Sequence, residues 1–275
     1  MAEDKLEGPS QCIVFLGIEI DATSLIIRLP TDKLSHLSVA ISSWINRKKC
    51  TKVELLSLIG SLSFACKVIR PGRIFLRRLI DLSTTVSNLH HHIDISSSAR
   101  LDFNMWSSLL STWNGSSVIQ TTTSSFELQL FTDASFKGFG AFFNGLWFSS
   151  PWQFDISSFH IATLELFAVY AAVIVWGDSF RHRHILIYSD NAAIVQVWET
   201  GSSRDKSIMK LVRSLFFHCV DFNISLSVRH LPGSRNLYAD LLSRLQVPRF
   251  LAQCPDAHDQ PSIIPQSIWE FFTTD

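Results

Sequence analysis

The sequence predicts an α/β protein in which a mixed five-stranded sheet flanked by helices follows a small, mostly helical domain. From residue 124 onward, hydrophobic periodicity indicates the order strand, strand, strand, helix, strand, helix, helix, strand, helix. Asn144-Gly145 separates two apolar runs and is a strong hairpin signal, so the early strands are expected to be antiparallel. The later alternation of strands and helices is typical of parallel connections. Residues 31–82 show mainly helical spacing.

Composition indicates a globular chain. Of the 275 residues, 47% are hydrophobic and 17% charged, and the net charge is zero, which gives no overall nucleic-acid signature. Five scattered cysteines without a Cys-x-x-Cys pair indicate neither zinc nor a disulfide framework, and fit a reducing compartment. The charged N-terminus does not resemble a signal peptide, and the apolar run 166–176 is too short for a bilayer. We therefore expect an intracellular protein, in cytoplasm or nucleus, without a membrane partner.

The first part of the chain is predicted to be a short hairpin followed by helices. In order, the elements are two strands within 12–29 around a turn at 21–24, a helix after Pro30 begun by Thr31 or Asp32, a helix capped by Thr51, and, after Pro71-Gly72, a short helix over 73–82.

A basic segment occupies residues 47–78. It holds nine basic residues against one acid, a net charge of +8 in a chain whose total is zero. Such an excess is either a solvated helical face or a polyanion-binding surface, and its one-sidedness favours binding. The predicted nucleic-acid-binding residues here are Lys48, Lys49, Lys52, Arg70, Arg73, Arg77 and Arg78.

Residues 83–123 form a predicted connection rich in Ser, Thr and Asn, with a helix over 99–113. The run His90-His91-His92 is interpreted as a polar loop, because adjacent histidines do not share one face of an element. A composition shift over 116–125 indicates a domain boundary. The predicted segments are therefore 1–30, 31–82, 83–123, 124–246 and a C-terminal tail, 247–275.

The second half carries the predicted sheet. Its elements are strands at 126–135, 138–143, 146–152, 185–189 and 224–228, and helices at 162–176, 191–199, 206–220 and about 237–245. The tail contains four prolines and little periodicity apart from a short apolar turn over 268–272.

Four carboxylates stand in apolar surroundings within this half. Asp133 lies in a strand, where Asp is disfavoured; Glu165 begins an apolar helix; Asp190 ends a strand; Asp240 begins the last helix. Each also has an ordinary interpretation: an exposed strand end for Asp133, a helix-dipole acid for Glu165, an N-cap for Asp190 and a surface acid for Asp240.

Taken together, the four positions predict a metal site. A mixed sheet can gather these element ends on one face, where four carboxylates would repel one another and shift their pKa values. A divalent cation relieves the repulsion, and all-oxygen ligands favour Mg²⁺, with Mn²⁺ as a substitute. Two such ions about 4 Å apart form a site that hydrolyses phosphodiesters by in-line attack of water.

These acid motifs resemble those of ribonuclease H type 1. The resemblance rests on Thr-Asp-Ala-Ser at 132–135, Thr-Leu-Glu-Leu at 163–166, Tyr-Ser-Asp-Asn at 188–191 and the run His-Leu-Pro-Gly-Ser-Arg-Asn-Leu-Tyr-Ala-Asp-Leu-Leu-Ser-Arg at 230–244. The order, element type and spacing agree over about residues 124–246. The last motif is similar to the form found in retrotransposons.

Three upstream motifs resemble the end of a reverse transcriptase palm and its thumb, and the likeness is greatest to DIRS-type tyrosine-recombinase retroelements. They are Phe-Leu-Gly-Ile-Glu-Ile-Asp at 15–21, Leu-Pro-Thr-Asp-Lys at 29–33 and Val-Ile-Arg-Pro-Gly-Arg at 68–73. No Tyr-x-Asp-Asp polymerase motif precedes Phe15, so the chain is expected not to copy nucleic acid.

The resemblance implies an RNase H-like domain in which Asp133, Glu165, Asp190 and Asp240 hold two Mg²⁺ ions. It further implies that His230 assists turnover or product release, and that Asn191 and Asn236 contact nucleic acid, although His230 could be an ordinary loop residue and Asn236 a helix cap. The expected function is cleavage of the RNA strand of an RNA–DNA hybrid, with other retroelement proteins as further partners.

Two alternatives stay open. One is a catalytically inactive nucleic-acid-binding remnant or co-opted retroelement fragment, and the other is a different nuclease or an integrase of the same fold.

Overall fold

The computed structural model describes residues 10–112, 116–118, 128–222 and 224–271. The chain divides after Thr123 into two compact units, which are described separately. Most of the composition shift at 116–125, and the start of the strand predicted from residue 126, fall outside the described residues.

The first unit begins with three short strands where two were predicted. These are β1 (Cys12–Phe15), β2 (Ile18–Asp21) and β3 (Ile26–Arg28). The apolar run was expected to continue, but Leu16 and Gly17 adopt φ angles of 48° and 77° and turn the chain between β1 and β2.

Helices follow, beginning with α1 (Thr31–Ile45), then β4 (Lys49–Thr51) and α2 (Lys52–Ala65). The predicted cap of α1 by Thr31 or Asp32 is wrong, since both lie inside the helix and Pro30 occupies the N-cap without a side-chain bond. The predicted cap of α2 is confirmed, because Thr51 and Glu54 form a reciprocal capping box.

The rest of the first unit is α3 (Arg77–Ser83), β5 (His92–Asp94), α4 (Ser97–Thr112) and β6 (Ser116–Val118). β6 completes a sheet of order β1-β2-β3-β6, and β5 pairs with β4. The expectation of a plain loop at the three histidines is therefore wrong for His92, which begins a strand.

The second unit contains a five-stranded mixed sheet flanked by helices, as predicted. Its elements are β7 (Leu128–Ala134), β8 (Gly138–Phe143), β9 (Leu146–Pro151), α5 (Ile161–Phe180), β10 (His184–Ser189), α6 (Ala192–Thr200), α7 (Lys206–Phe222), β11 (Ser225–His230), α8 (Leu237–Ser243) and α9 (Val247–Gln253). The strand order is β11-β10-β7-β8-β9. β8 is antiparallel to β7 and β9, whereas β10 is parallel to β7 and β11.

The predicted hairpin at Asn144-Gly145 is confirmed: both residues have positive φ, 47° and 83°, between β8 and β9.

Helix α5 is the central packing element of this unit. By length and composition alone it could cross a membrane, but 67% of its apolar window is buried inside the protein. It packs on β7, β8 and α7, as expected for a core helix.

The segment predicted as a tail packs against the second unit. Phe250 in α9 is fully buried in a cluster with Trp147 and Leu242. Further on, the Trp147 indole donates to the His258 carbonyl at 2.7 Å, and the Trp176 indole donates to Ser262 Oγ at 3.0 Å. The sequence did not predict this packing, because the segment has little periodicity. Its apolar residues are buried one at a time against the sheet and α5, and they do not line one face of a helix.

Candidate active site

Two parallel neighbouring strands bring the first pair of acids to one edge of the sheet. Tyr188 of β10 pairs with Phe131 of β7. Asp190 and Asp133 each lie two residues beyond that pair, at the carboxyl ends of the strands. The proximity of Asp190 helps to raise the pKa of Asp133, so the two carboxylates interact.

Asp133 is a buried carboxylate with a single strong protein partner. Its residue is 8% exposed, and burial, with Asp190 and Asp240 as further causes, raises its pKa to about 6. The Ser243 hydroxyl donates to Asp133 Oδ2 at 2.5 Å and opposes this rise. The interpretation of Asp133 as an exposed strand end is therefore wrong.

Glu165 carries the largest perturbation among these acids. Burial, followed by the nearby charges of Asp190 and Asp133, raises its pKa to about 8, while a hydrogen bond with the Asn191 side chain acts in the opposite direction. Its Oε2 is buried and has no hydrogen-bond partner among the residues that the structure describes. Glu165 is the fifth residue of α5, whose first turn contains no acid, so the helix-dipole interpretation is also wrong.

Asp190 is exposed and does not cap α6. That position belongs to Asn191, whose side-chain oxygen accepts from the Ala193 amide at 2.9 Å. His230, at the end of β11, is exposed, and its Nε2 lies 3.1 Å from the backbone oxygen of Asp190. The structure therefore places His230 and Asn191 beside the acids.

The fourth acid, Asp240, lies in the first turn of α8 and is paired with Arg244. Its Oδ1 accepts from Arg244 Nε at 2.7 Å, and its side chain is 38% exposed. Asn236 precedes α8 but makes no capping bond; it is 2% exposed and donates to the Thr132 carbonyl at 3.0 Å. Asn236 thus anchors α8 to β7 and has little surface for the predicted nucleic-acid contact.

The residues fit a hard divalent cation in chemistry, although the side chains of Asp133 and Asp240 are held by protein partners. Across the described ranges, no three His, Cys, Asp or Glu side chains form a ready metal-binding group. The donor set is nevertheless all carboxylate, and Glu165 Oε2 offers an acceptor that no donor in the described part of the chain satisfies. A cation would compete with Ser243 for Asp133 and with Arg244 for Asp240.

Sequence reasoning missed Ser243 and Arg244. They follow Asp240 by three and four positions, which places all three on one face of α8. That spacing was a usable signal. Ser243 and Asp133 are 110 positions apart, so no local sequence pattern indicated their contact.

In the first unit, internal partners neutralise much of the basic segment. Several partner acids, such as Asp94 and Asp102, lie outside residues 47–78, so the count of +8 overstated the free charge. The pairs are Arg47–Glu54, Lys49–Asp94, Arg77–Asp81 and Arg78–Asp102, while Lys52 donates to the Val86 carbonyl.

Three exposed cations, Lys48, Lys67 and Arg73, have no ion pair within the described part of the chain. The side chain of Arg70 lies outside the description. Arg77 and Arg78 are engaged by Asp81 and Asp102, and their predicted contact with nucleic acid stays a prediction.

No family model matches this sequence, and no curated protein matches it. Among solved structures, the RNase H1 of the halophilic archaeon Halobacterium salinarum is similar at 14% identity and a TM-score of 0.35, covering 44% of this chain and 98% of its own. The N-terminal RNase H domain of a Mycobacterium tuberculosis protein, fused to maltose-binding protein, is similar at 15% identity and a TM-score of 0.34, covering 47% of this chain and 99% of its own.

A foamy viral protease-reverse transcriptase in complex with double-stranded DNA is similar at 17% identity and a TM-score of 0.29, over 81% of this chain. The match covers 45% of that protein's own length. These similarities are low, so the chemistry of the site itself has to support any function.

Proposed function

We propose that the second unit is a Mg²⁺-dependent nuclease of the ribonuclease H type, which cleaves the RNA strand of an RNA–DNA hybrid, and that the chain derives from a retroelement. The observation that supports this most is Glu165. An apolar helix holds its carboxylate beside Asp133 and Asp190, and one of its oxygens has no partner in the described ranges. Such burial is costly unless a positive charge compensates it.

In this proposal the four acids hold two Mg²⁺ ions, for which Mn²⁺ is a substitute. Divalent cations, when bound, lower the pKa of a water nucleophile and stabilise the leaving oxygen of a phosphodiester. The chain supplies the rest: Asn191 orients Glu165 by a side-chain hydrogen bond, and Asn236 fixes α8 against β7.

The test is cleavage of a labelled RNA–DNA hybrid with Mg²⁺. We expect Asp133→Asn, Glu165→Gln, Asp190→Asn and Asp240→Asn each to lose at least about a hundredfold in rate, because the acids act as one site. Asp205→Asn, a change at an acid that begins α7 in the same unit, serves as the control. Equal rates for wild type and Asp133→Asn would refute the nuclease.

His230 is expected to matter less than the acids. It is exposed beside Asp190 and is proposed to assist turnover rather than hold metal. His230→Ala should therefore reduce steady-state turnover while leaving the metal-induced rise in melting temperature unchanged. Loss of cleavage as complete as for Asp133→Asn would contradict this role.

The competing proposal is an inactive nucleic-acid-binding remnant. The pairing of Asp240 with Arg244 is the observation that favours it, because Arg244 already neutralises one acid. Titration with Mg²⁺ or Mn²⁺ separates the two proposals. If the four acids bind the cation, binding stabilises the folded state by mass action and the melting temperature rises; in an inactive remnant, the cation should cause no rise that depends on these acids.

A further inference from the structure

Three serine hydroxyls join the last turn of α8 to the sheet. Ser135, just after β7, donates to the Ser243 carbonyl at 2.8 Å, and Ser149 of β9 donates to the Leu242 carbonyl at 2.6 Å. Ser243 itself is fully buried, and its hydroxyl donates to Asp133 Oδ2 at 2.5 Å. We call Ser135, Ser149 and Ser243 the serine clamp.

A short buried helix needs hydrogen-bond donors for the carbonyls at its C-terminal end. The last four carbonyls of a helix have no intrahelical donor, and burying them unpaired is costly. α8 has only seven residues, so these ends are a large share of its backbone. Ser135 supplies a donor from the sheet for the Ser243 carbonyl. The Leu242 carbonyl accepts from Ser149 in addition to the Leu245 amide, which lies 3.1 Å away. Both serine bonds tie the end of α8 to the sheet.

The same clamp reaches both acids. Ser243 Oγ lies 2.5 Å from Asp133 Oδ2 and 3.0 Å from the backbone oxygen of Asp240. Its single proton goes to the nearer carboxylate, so one side chain contacts the strand acid and the backbone of the helix acid at once. Moving the end of α8 would change both contacts together.

We propose that the serine clamp is a set of positioning residues that fixes Asp240 relative to Asp133, and so presets the spacing of two cation-binding carboxylates. This inference deepens the proposed nuclease function and depends on it. The serines act through the acids and do not touch the substrate.

The experiment compares full-length Ser243→Ala, Ser149→Ala and Ser135→Ala with the control Ser150→Ala. Ser150 neighbours the half-buried Ser149 on β9 and is itself buried, but within the described residues its hydroxyl donates to the adjacent Pro151 carbonyl and not to α8. Three quantities are measured: the Mn²⁺ concentration that gives half of the rise in melting temperature, and kcat and KM for hybrid cleavage at varied Mg²⁺.

We expect Ser243→Ala and Ser149→Ala to raise the half-maximal metal concentration about 10–100-fold, as for other residues that orient metal ligands. kcat at fixed Mg²⁺ should fall while KM for the hybrid stays unchanged. Ser150→Ala should match wild type. Ser149→Thr, which keeps the hydroxyl, should restore the metal midpoint, whereas Ser149→Val, which has the shape of threonine without the hydroxyl, should not; rescue by both would indicate a role of side-chain volume alone.

The outcomes distinguish failure of the serine-clamp proposal from failure of the nuclease proposal. If the clamp variants match Ser150→Ala in metal midpoint while Asp133→Asn abolishes cleavage, the clamp is refuted and the nuclease stands. If wild type neither cleaves hybrid nor gains stability from Mn²⁺, both fail. If it gains stability without cleaving, the metal midpoints alone decide the clamp. Should Ser243→Ala not fold, Ser149→Ala and Ser149→Thr provide the same comparison.

Discussion

At the scale of single residues, Glu165 has the largest rise in pKa among the acids of the described site. Most of its surroundings in α5 are apolar, and the nearby charges of Asp190 and Asp133 have the same sign as its own. Its ionised form is therefore disfavoured both by burial and by repulsion. A buried carboxylate that destabilises the folded protein is better explained by a role in binding a ligand than by a role in stability.

The raised pKa of Glu165 makes the free energy of unfolding depend on pH. The folded pKa, about 8, lies above the ordinary value of 4.5, so the unfolded chain releases the proton first as pH rises. Stability should therefore fall between about pH 4.5 and 8. We expect Glu165→Gln to melt a few degrees above wild type at pH 8.5 and to match it near pH 4, in thermal scans without divalent metal.

Glu199→Gln, at an exposed acid of α6, is the control and should follow wild type at both pH values. A difference between Glu165→Gln and wild type that stays the same at pH 4 and pH 8.5 would contradict the burial of the charge. Added Mg²⁺ should reduce the difference at pH 8.5, because a bound cation removes the penalty.

At the scale of elements, the approach of α8 to β8 decides whether Asp240 reaches the other acids. The approach requires a glycine on the strand, since a Cβ on Gly140 would lie 2.4 Å from Leu242 Cβ. Because Leu242 is fully buried and belongs to the helix itself, the contact cannot be relieved by a surface rotamer.

Gly140→Ala should therefore displace α8 and destabilise the second unit by about 1–3 kcal/mol, the usual cost of overpacking. Cleavage should fall further than stability explains, because the helix carries Asp240. Gly60→Ala in α2 is the matched control: nothing lies within 4 Å of the added Cβ, and Ala favours a helix by about 0.5–1 kcal/mol. Chemical unfolding that shows Gly140→Ala as stable as wild type would refute the close approach.

At the scale of the whole molecule, the charge is unevenly distributed, and internal pairs balance part of the basic excess of residues 47–78. Arg78 compensates Asp102, which is 1% exposed, and Arg77 bonds Asp81 one turn away. Within the described part of the basic segment 47–78, the exposed cations without an ion pair are Lys48, Lys67 and Arg73. A chain of zero net charge can therefore still offer the first unit as a phosphate-binding surface.

We expect the triple change of Lys48, Lys67 and Arg73 to Ala to weaken hybrid binding and to lower the slope of log affinity against log salt by about one unit per lost phosphate contact. The full-length Asp133→Asn chain, which should not cleave, is the background for the measurement. Arg78→Ala should instead reduce the stability of the first unit, because it removes the ion pair of the buried Asp102 carboxylate. An unchanged salt slope in the triple variant would mean that these cations are only a solvated surface.

Local rules predicted much of the fold. The Asn144-Gly145 hairpin, the Thr51 capping box and the strand–helix order depend on residues close together in the chain, and the structure has all three. The cap of α1 failed because Pro30 and Thr31 differ by one position, which periodicity does not resolve.

The sequence by itself determined the mixed sheet and singled out four acids, because a carboxylate in an apolar run is visible without coordinates. Only the tertiary structure decided which partners those acids keep. Ser243 meets Asp133 across 110 positions, Arg78 meets Asp102 across 24, and residues of the expected tail pack on Trp147. Hydrogen bonds and burial act through space, so pairs separated this far leave no periodic trace in the chain.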